Sequence, residues 1–339
     1  MRRLVVLLLG AGLLLPAAPA LAGTRTSDAS AAREVERDAL AVLERAVHAG
    51  RTVGYRGTQR VASWRDTGTD AATVGVSHLP GHRSVLRVPD DTTVPAVATA
   101  ALDARVVSLL AASYDLAVAG TGRCTGRSTT VVEARRDGGQ LAGRFWVDEQ
   151  TGLLLRREVY REDGRRLRSS AFVSLEVRAA ADVPPAAVPD LPAAVDRLRA
   201  RGWRVPDGLP GGFRLFEARL AAADQPRTGE PRHVLHLAYS DGLSTTSLFA
   251  QRGTLGSTPP SGFRRDDVGG RPVWVRSASP ERAVWSGDGA VWTLVSDAPA
   301  DVVRAAVAAL PRDRPKADGV LVRLHRGLAR LGAVLSPFH

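Results

Sequence analysis

SYDLAVAGTGRCTGRSTTVVEARRDGG at residues 113–139, FWVDEQTGLLLRREVYREDGRRL at 145–167 and SSAFVSLEV at 169–177 together read as a β-meander. Apolar residues alternate with polar ones from Tyr114 to Gly120, Ser128 to Arg135, Leu141 to Val147, Leu153 to Tyr160 and Arg165 to Val177. That period of two marks strands with one buried face. In the last of them Ala171, Val173, Leu175 and Val177 share one face. The breaks are turn chemistry: the glycine-rich run Gly120 to Gly126, then Asp137-Gly138-Gly139, Gln150-Thr151-Gly152 and Asp163-Gly164. Short turns of this kind join neighbouring antiparallel strands.

Upstream, Val35, Leu40, Leu43 and Val47 recur at helical spacing, predicting a helix from Ala31 to His48 with Ser30 as its cap and Gly50 as its stop. Val53, Tyr55, Gly57, Gln59 and Val61 then alternate with Arg56, Thr58 and Arg60, as in a strand with one wet face. Thr73 to Leu79 and Arg83 to Val88 are two more strands, joined through Pro80-Gly81. Pro95 opens a second helix whose stripe is Leu102, Val106, Leu109 and Leu110.

Downstream, residues 179–192 are rich in Ala and Pro, as in a linker. A second set of elements follows: a helix from Ala193 to Arg201, then strands at Phe213 to Leu220, Arg232 to Ser240 and Ser244 to Gln251. Further strands are expected at Arg271 to Arg276, Arg282 to Ser286 and Ala290 to Ser296, before a helix from Pro299 to Leu310 that Pro311 ends. Many short strands beside few helices give an α+β class. At 339 residues the chain is long enough for two domains, expected at 31–178 and 193–312.

The ends differ from this body. Arg2 and Arg3 precede the apolar run Leu4 to Leu15, and Ala20-Leu21-Ala22 fits a cleavage site, so residues 1–22 read as a signal peptide. The run is shorter than the roughly 20 residues of a spanning helix. Retention as an uncleaved anchor is the alternative, and a lipid-modified N-terminus is not expected, because no cysteine sits at the cut. The tail, 313–339, carries Val320, Leu321, Leu324, Leu328, Leu331 and Leu335 on one side, with Arg323, Arg326 and Arg330 away from them. Such a helix lies on a membrane surface or docks on the second domain.

The formal net charge is +11. Nucleic acid is not the expected partner: the chain reads as exported, and the basic residues are spread along it and are arginine except for Lys316. Attraction to an anionic membrane surface fits better. Cys124 is alone, which excludes an intramolecular disulfide and a thiolate metal cluster.

No catalytic template fits. There is no G-x-S-x-G elbow and no H-E-x-x-H. The glycines at 120, 122 and 126 sit between strands rather than opening a helix, so a hairpin turn accounts for them better than a dinucleotide loop. His233 and His236 are three apart in a strand and point to opposite faces. Asp90-Asp91 and Asp266-Asp267 read as solvated loop pairs. No enzyme, metal or cofactor is expected. Four of the six tryptophans fall after residue 200 (Trp203, Trp274, Trp285 and Trp292), forming either a stiff core or a binding surface.

In order and spacing these motifs resemble the RseB/MucB family. The resemblance rests on ALAVLERAVHAGRTVGYRGTQRVASW at 39–64, on the meander above, and on its members Gly122, Arg123, Asp137, Trp146, Asp148, Thr151, Leu153, Leu155 and Arg156. Leu209-Pro210-Gly211-Gly212-Phe213, Tyr239-Ser240-Asp241-Gly242-Leu243 and Ser247-Leu248-Phe249 extend it. It implies a LolA-like unclosed antiparallel β-barrel wrapped over helices, plus a smaller mixed α/β C-terminal domain. It also implies an extracytoplasmic negative regulator of envelope-stress sigma-factor signalling. Such a protein binds the extracytoplasmic domain of a transmembrane anti-sigma factor, shields it from proteolysis, and is released by a lipid or misfolded-protein ligand in an apolar groove. Candidate groove residues are Tyr55, Val61, Leu86, Leu109 and Phe145, against packed core as the plainer account of each. Candidate partner-binding residues are Tyr239, Asp241, Leu243, Phe249 and Trp292. The second reading is a LolA/LppX-type lipid or lipoprotein carrier; a secreted hydrolase is a distant third.

Overall fold

The computed structural model describes residues 24–311 apart from 67, 83, 88–101, 183–189, 223–232, 257, 259 and 279. The signal, the tail, most of the linker and the expected helix start at Pro95 lie outside the described residues.

The chain opens with α1 (Thr24–Thr52), followed by β1 (Val53–Arg65), β2 (Gly68–His78), β3 (Val85–Arg87) and α2 (Ala104–Ser113). Then comes the meander: β4 (Asp115–Cys124), β5 (Arg127–Arg135), β6 (Leu141–Asp148), β7 (Leu154–Tyr160) and β8 (Arg166–Ala180). These eight strands form one antiparallel sheet in the order β3-β2-β1-β8-β7-β6-β5-β4. Its edges, β3 and β4, do not pair, so the sheet stays open. The expected unclosed sheet over helices is therefore present. Ala39, Leu43 and Ala46 of α1 and Val107 and Leu110 of α2 pack on its inner face against Val132, Phe145, Val147 and Val159.

The β4–β5 turn shows why the meander is tight. Thr125 and Gly126 both hold positive φ, 49° and 79°. That is the mirror-image turn whose twist matches paired strands. Thr125, as a non-glycine, bears some of the strain. The strand before it runs on through the glycine-rich run as far as Cys124, farther than Gly120, with a bulge between Val118 and Gly120.

The second half comprises α3 (Leu191–Ala200), β9 (Gly208–Leu209), β10 (Phe213–Ala222), β11 (His233–Ser240) and β12 (Thr245–Arg252). It ends with β13 (Arg264–Asp267), β14 (Pro272–Arg276), β15 (Glu281–Gly287), β16 (Ala290–Ser296) and α4 (Ala300–Ala309). Its strands make a second sheet in the order β13-β14-β15-β16-β12-β11-β10-β9, antiparallel throughout. One face carries Leu235, Leu237, Leu248, Leu294, Trp285 and Trp292, on which α3 and α4 pack. The indoles of Trp285 and Trp292 lie nearly parallel, centroids 6.4 Å apart. Each indole N–H finds a backbone carbonyl, of Pro311 and Gly287 respectively. These two tryptophans are core.

Three local expectations differ from the structure. The first helix passes through Ser30 and Gly50 and ends only at Thr52, because Ala39, Leu43, Ala46 and Ala49 keep it seated on the sheet. Asp103 caps α2, its carboxylate accepting the Arg105 N–H at 2.8 Å, so Leu102 precedes the helix rather than lying in it. Asp266 and Asp267 belong to the edge strand β13 rather than to a loop.

Candidate functional site

The turn between β11 and β12 is a main meeting point of the two sheets. Asp241, Gly242, Leu243 and Ser244 join β11 to β12 and push into the inner side of the first sheet. Leu243 is 3% exposed and packs in the core formed by α1, α2 and that sheet. The fit depends on two glycines. Gly242 holds φ 96°, and a β-carbon there would lie 2.3 Å from Leu110 Cα. A β-carbon on Gly143 of β6 would lie 2.5 Å from Leu243 Cδ2.

Two arginines on the apolar side of the first sheet hold the turn. The Arg157 guanidinium donates to the Leu243 carbonyl at 2.8 Å and approaches that of Gly242 at 3.3 Å. Arg168 donates to the Leu243 carbonyl at 2.7 Å and to Ser244 Oγ at 3.2 Å. It also pairs with the Asp297 carboxylate at 2.6 Å and bonds that residue's carbonyl. The Tyr114 hydroxyl donates to Asp241 Oδ2 at 2.7 Å. Asp241 Oδ1 accepts the N–H groups of Leu243 and Ser244, and Asp297 Oδ1 that of Thr245. Two buried cations thus face two partly buried carboxylates.

Burial and the neighbouring Arg168 pull Arg157 down to about 10, against the opposing pull of Asp297 and Asp241. It remains charged at neutral pH. Burial, with the Asp241 charge beside it, raises Tyr114 far above its ordinary range and keeps it a donor. Nε of Arg157 and Nε of Arg168 are both buried without a hydrogen-bond partner among the described residues. The cations are held by their outer nitrogens alone. Beside the turn, Arg105 donates to the Phe216 carbonyl at 2.8 Å, and Val106 and Leu109 of α2 pack on Phe216 and Ala238.

The residues singled out in the sequence divide accordingly. Tyr239, Leu243, Phe249 and Trp292 are all under 5% exposed, and Asp241 is half-buried at the junction. In this conformation the β11–β12 hairpin is turned toward the first sheet, and its side chains do not form a free surface. Tyr239 sends its hydroxyl to the Pro206 carbonyl, and Trp292 stacks in the second core.

Of the groove candidates, Tyr55 and Val61 share one cluster and Phe145 belongs to another. Leu109 sits at the junction, and Leu86 lies in β3 opposite Val76. Tyr55 stacks on His78 and meets Phe172 edge-on. A cleft beside it, bounded by Ala46, Gly50, Gln59, Leu155 and Phe172, holds about 30 Å³ of open space. That admits a water or two and not an acyl chain.

Arg157 and Arg168 were not among the candidates, although the parity was available. Leu153, Leu155 and Val159 face the core, so Arg157 between them must do so too.

Residues 77–192 match the family model of the MucB/RseB N-terminal domain. Over that stretch, about a third of its length, the chain is similar to the MucB/RseB family. The match runs from the end of β2 to the start of α3, so it includes α2, the meander and both buried arginines. Among solved structures, MucB in complex with MucA(peri) is 23% identical, aligned over 81% of this chain and 99% of that chain, with a TM-score of 0.43. The MucA/MucB complex of Pseudomonas aeruginosa is 23% identical over 82% and 99%, with a TM-score of 0.42. A LolA superfamily protein from Nitrosomonas europaea is 12% identical over 43% and 94%, with a TM-score of 0.20. No curated protein matches the chain. Among the described residues no helix is long and apolar enough to cross a membrane, which says nothing of β-barrels.

Proposed function

We propose that this chain is an exported, non-enzymatic regulator that binds the extracytoplasmic part of a membrane-spanning anti-sigma factor, as MucB binds MucA, and shields it from proteolysis. The match of residues 77–192 to the MucB/RseB N-terminal domain carries this reading. The domains are taken as 31–178 and 193–312, with 1–22 as the export signal and 313–339 as a tail able to lie on the membrane. A lipid or misfolded-protein ligand would loosen the grip by preferring the released state over the bound one.

The test is protection. The extracytoplasmic domain of the host's single-span anti-sigma factor is exposed to its site-one protease with and without the chain. Slower cleavage at stoichiometric chain is expected. Unchanged cleavage, with no complex on a sizing column, would overturn the proposal.

A further inference from the structure

Both sheets are open, so four strands lie at an edge: β3 and β4 in the first, β9 and β13 in the second. An edge offers unpaired N–H and C=O groups to any chain that comes near, and proteins blunt it by shortening or charging the strand. Three of these four edges are blunted. β3 has three residues and β9 two, while the four of β13 are Arg264, Arg265, Asp266 and Asp267. β4 is neither short nor charged. It runs for ten residues, and every residue from Leu116 to Gly122 is neutral. It pairs with β5 alone, and among the described residues no backbone group outside β5 hydrogen-bonds to the backbone of residues 115–123. Val118, Ala119, Gly120 and Thr121 are exposed, Val118 at 39%.

The shape of the edge says what fits it. The bulge between Val118 and Gly120 divides the row into two arms. A second copy of β4 cannot pair along its full length across that break, whereas a short extended segment fits one arm. The side chains along the row are small. A β-carbon at Gly120 would meet nothing within 4 Å, so an added strand can bring large side chains of its own. β4 also starts directly after Tyr114, whose hydroxyl holds Asp241, so a strand added here runs toward the junction of the two sheets.

We propose that β4 takes up, as a ninth strand of the first sheet, an extended, low-charge segment of the anti-sigma factor's extracytoplasmic part. Main-chain hydrogen bonds supply the grip, and β-branched or aromatic side chains at alternate positions of the segment supply the fit. Backbone engaged in a sheet is not free to enter a protease cleft, which ties this edge to the shielding proposed above. The identity of the partner rests on the regulator reading.

The experiment mixes the full chain with the extracytoplasmic domain of the host's single-span anti-sigma factor. Affinity is followed by titration calorimetry, and amide exchange along β4 by nuclear magnetic resonance. The outward amides of β4, quick to exchange in the free chain, should become protected at alternate positions in the complex. Ala119→Pro removes a donor inside the bulge, where Ala119 has no partner in β5, and should weaken binding roughly five- to tenfold. Ala119→Lys/Thr121→Lys charges the edge without constraining the backbone, and serves if near-ultraviolet circular dichroism shows the proline variant misfolded; weaker binding is again expected. A complex that forms with β4 exchange unchanged, or that the folded variants bind as well as wild type, would overturn the edge proposal and leave the regulator reading standing. Protection of β4 through self-association, without the partner, would overturn it in favour of a second copy. No complex at all would overturn both.

Discussion

Gly242→Ala isolates the junction from the rest of the fold. The added β-carbon would sit 2.3 Å from Leu110 Cα and 2.5 Å from its nitrogen. Both are backbone atoms of α2, which cannot rotate away as a side chain would. Ordinary contact begins at 3.4 Å, so the turn or the helix must retreat by about 1 Å. Retreat of that size draws Leu243 from its slot and stretches the bonds from Arg157 and Arg168. Overpacking costs about 1–3 kcal/mol. The φ of 96° at Gly242 adds roughly 1–2 kcal/mol once a β-carbon is present. The sum, about 2–5 kcal/mol, corresponds to a fall in melting temperature of roughly 5–15 °C for a unit of this size.

Gly164→Ala is the control. Gly164 has φ 79° with nothing within 4 Å, so it bears only the conformational cost of about 1 kcal/mol. Calorimetry gives the totals, and hydrogen exchange locates them. The Leu243, Ser244 and Thr245 amides, bonded to Asp241 and Asp297, should lose protection in Gly242→Ala and keep it in Gly164→Ala. Equal losses in the two variants, or unchanged exchange at the turn, would refute the account of the junction.

Arg168→Met should cost up to about 3 kcal/mol in urea unfolding, because the partly buried Asp297 carboxylate loses its counter-charge. Adding Asp297→Leu should recover part of that, which a double-mutant cycle measures. On the acid side, burial pushes Asp148 up, but hydrogen bonds from Arg127 and Thr151 outweigh it and hold the carboxyl below 3.8. A depressed carboxyl contributes stability that is present above 3.8 and lost as pH falls through its lower folded value. The urea midpoint should therefore decline with acidification in wild type, and more gently in Asp148→Asn. Burial raises the Cys124 thiol, which lies closed between β7 and β8, so an aromatic disulfide reagent should react at the rate of unfolding. Fast reaction of the native chain would contradict its placement.

What could be read from the sequence was what has a short period. The meander was legible because alternation and turn glycines act within a few residues, and β5 to β8 begin and end within about three residues of the expected bounds. Helix ends were less legible. Gly50 reads as a stop, but a glycine disfavours a helix by only about 1 kcal/mol, and the packing of Ala46 and Ala49 on the sheet exceeds that. The strand β13 was hidden because it is four residues long, charged and at an edge, where polar residues protect against unwanted pairing.

The candidate site was half legible. The Asp241-Gly242-Leu243 turn stood out, but nothing local says which surface it meets, because docking links residues more than 70 positions apart. Arg157 is the instructive omission. Its position between Leu155 and Val159 puts a charge on an apolar face, and a charge there needs a partner from elsewhere in the chain.

The central claim is that this chain grips the extracytoplasmic part of an anti-sigma factor. It is tested most directly by capturing partners of the full chain from detergent-solubilised membranes of its own host and identifying them by mass spectrometry. Removing the second half is a poor control, since Leu243 belongs to the core of the first; Gly242→Ala serves instead. Stoichiometric recovery of one single-span anti-sigma factor, altered in Gly242→Ala, is predicted. Recovery of lipid or assorted lipoproteins alone would contradict the claim and favour a carrier.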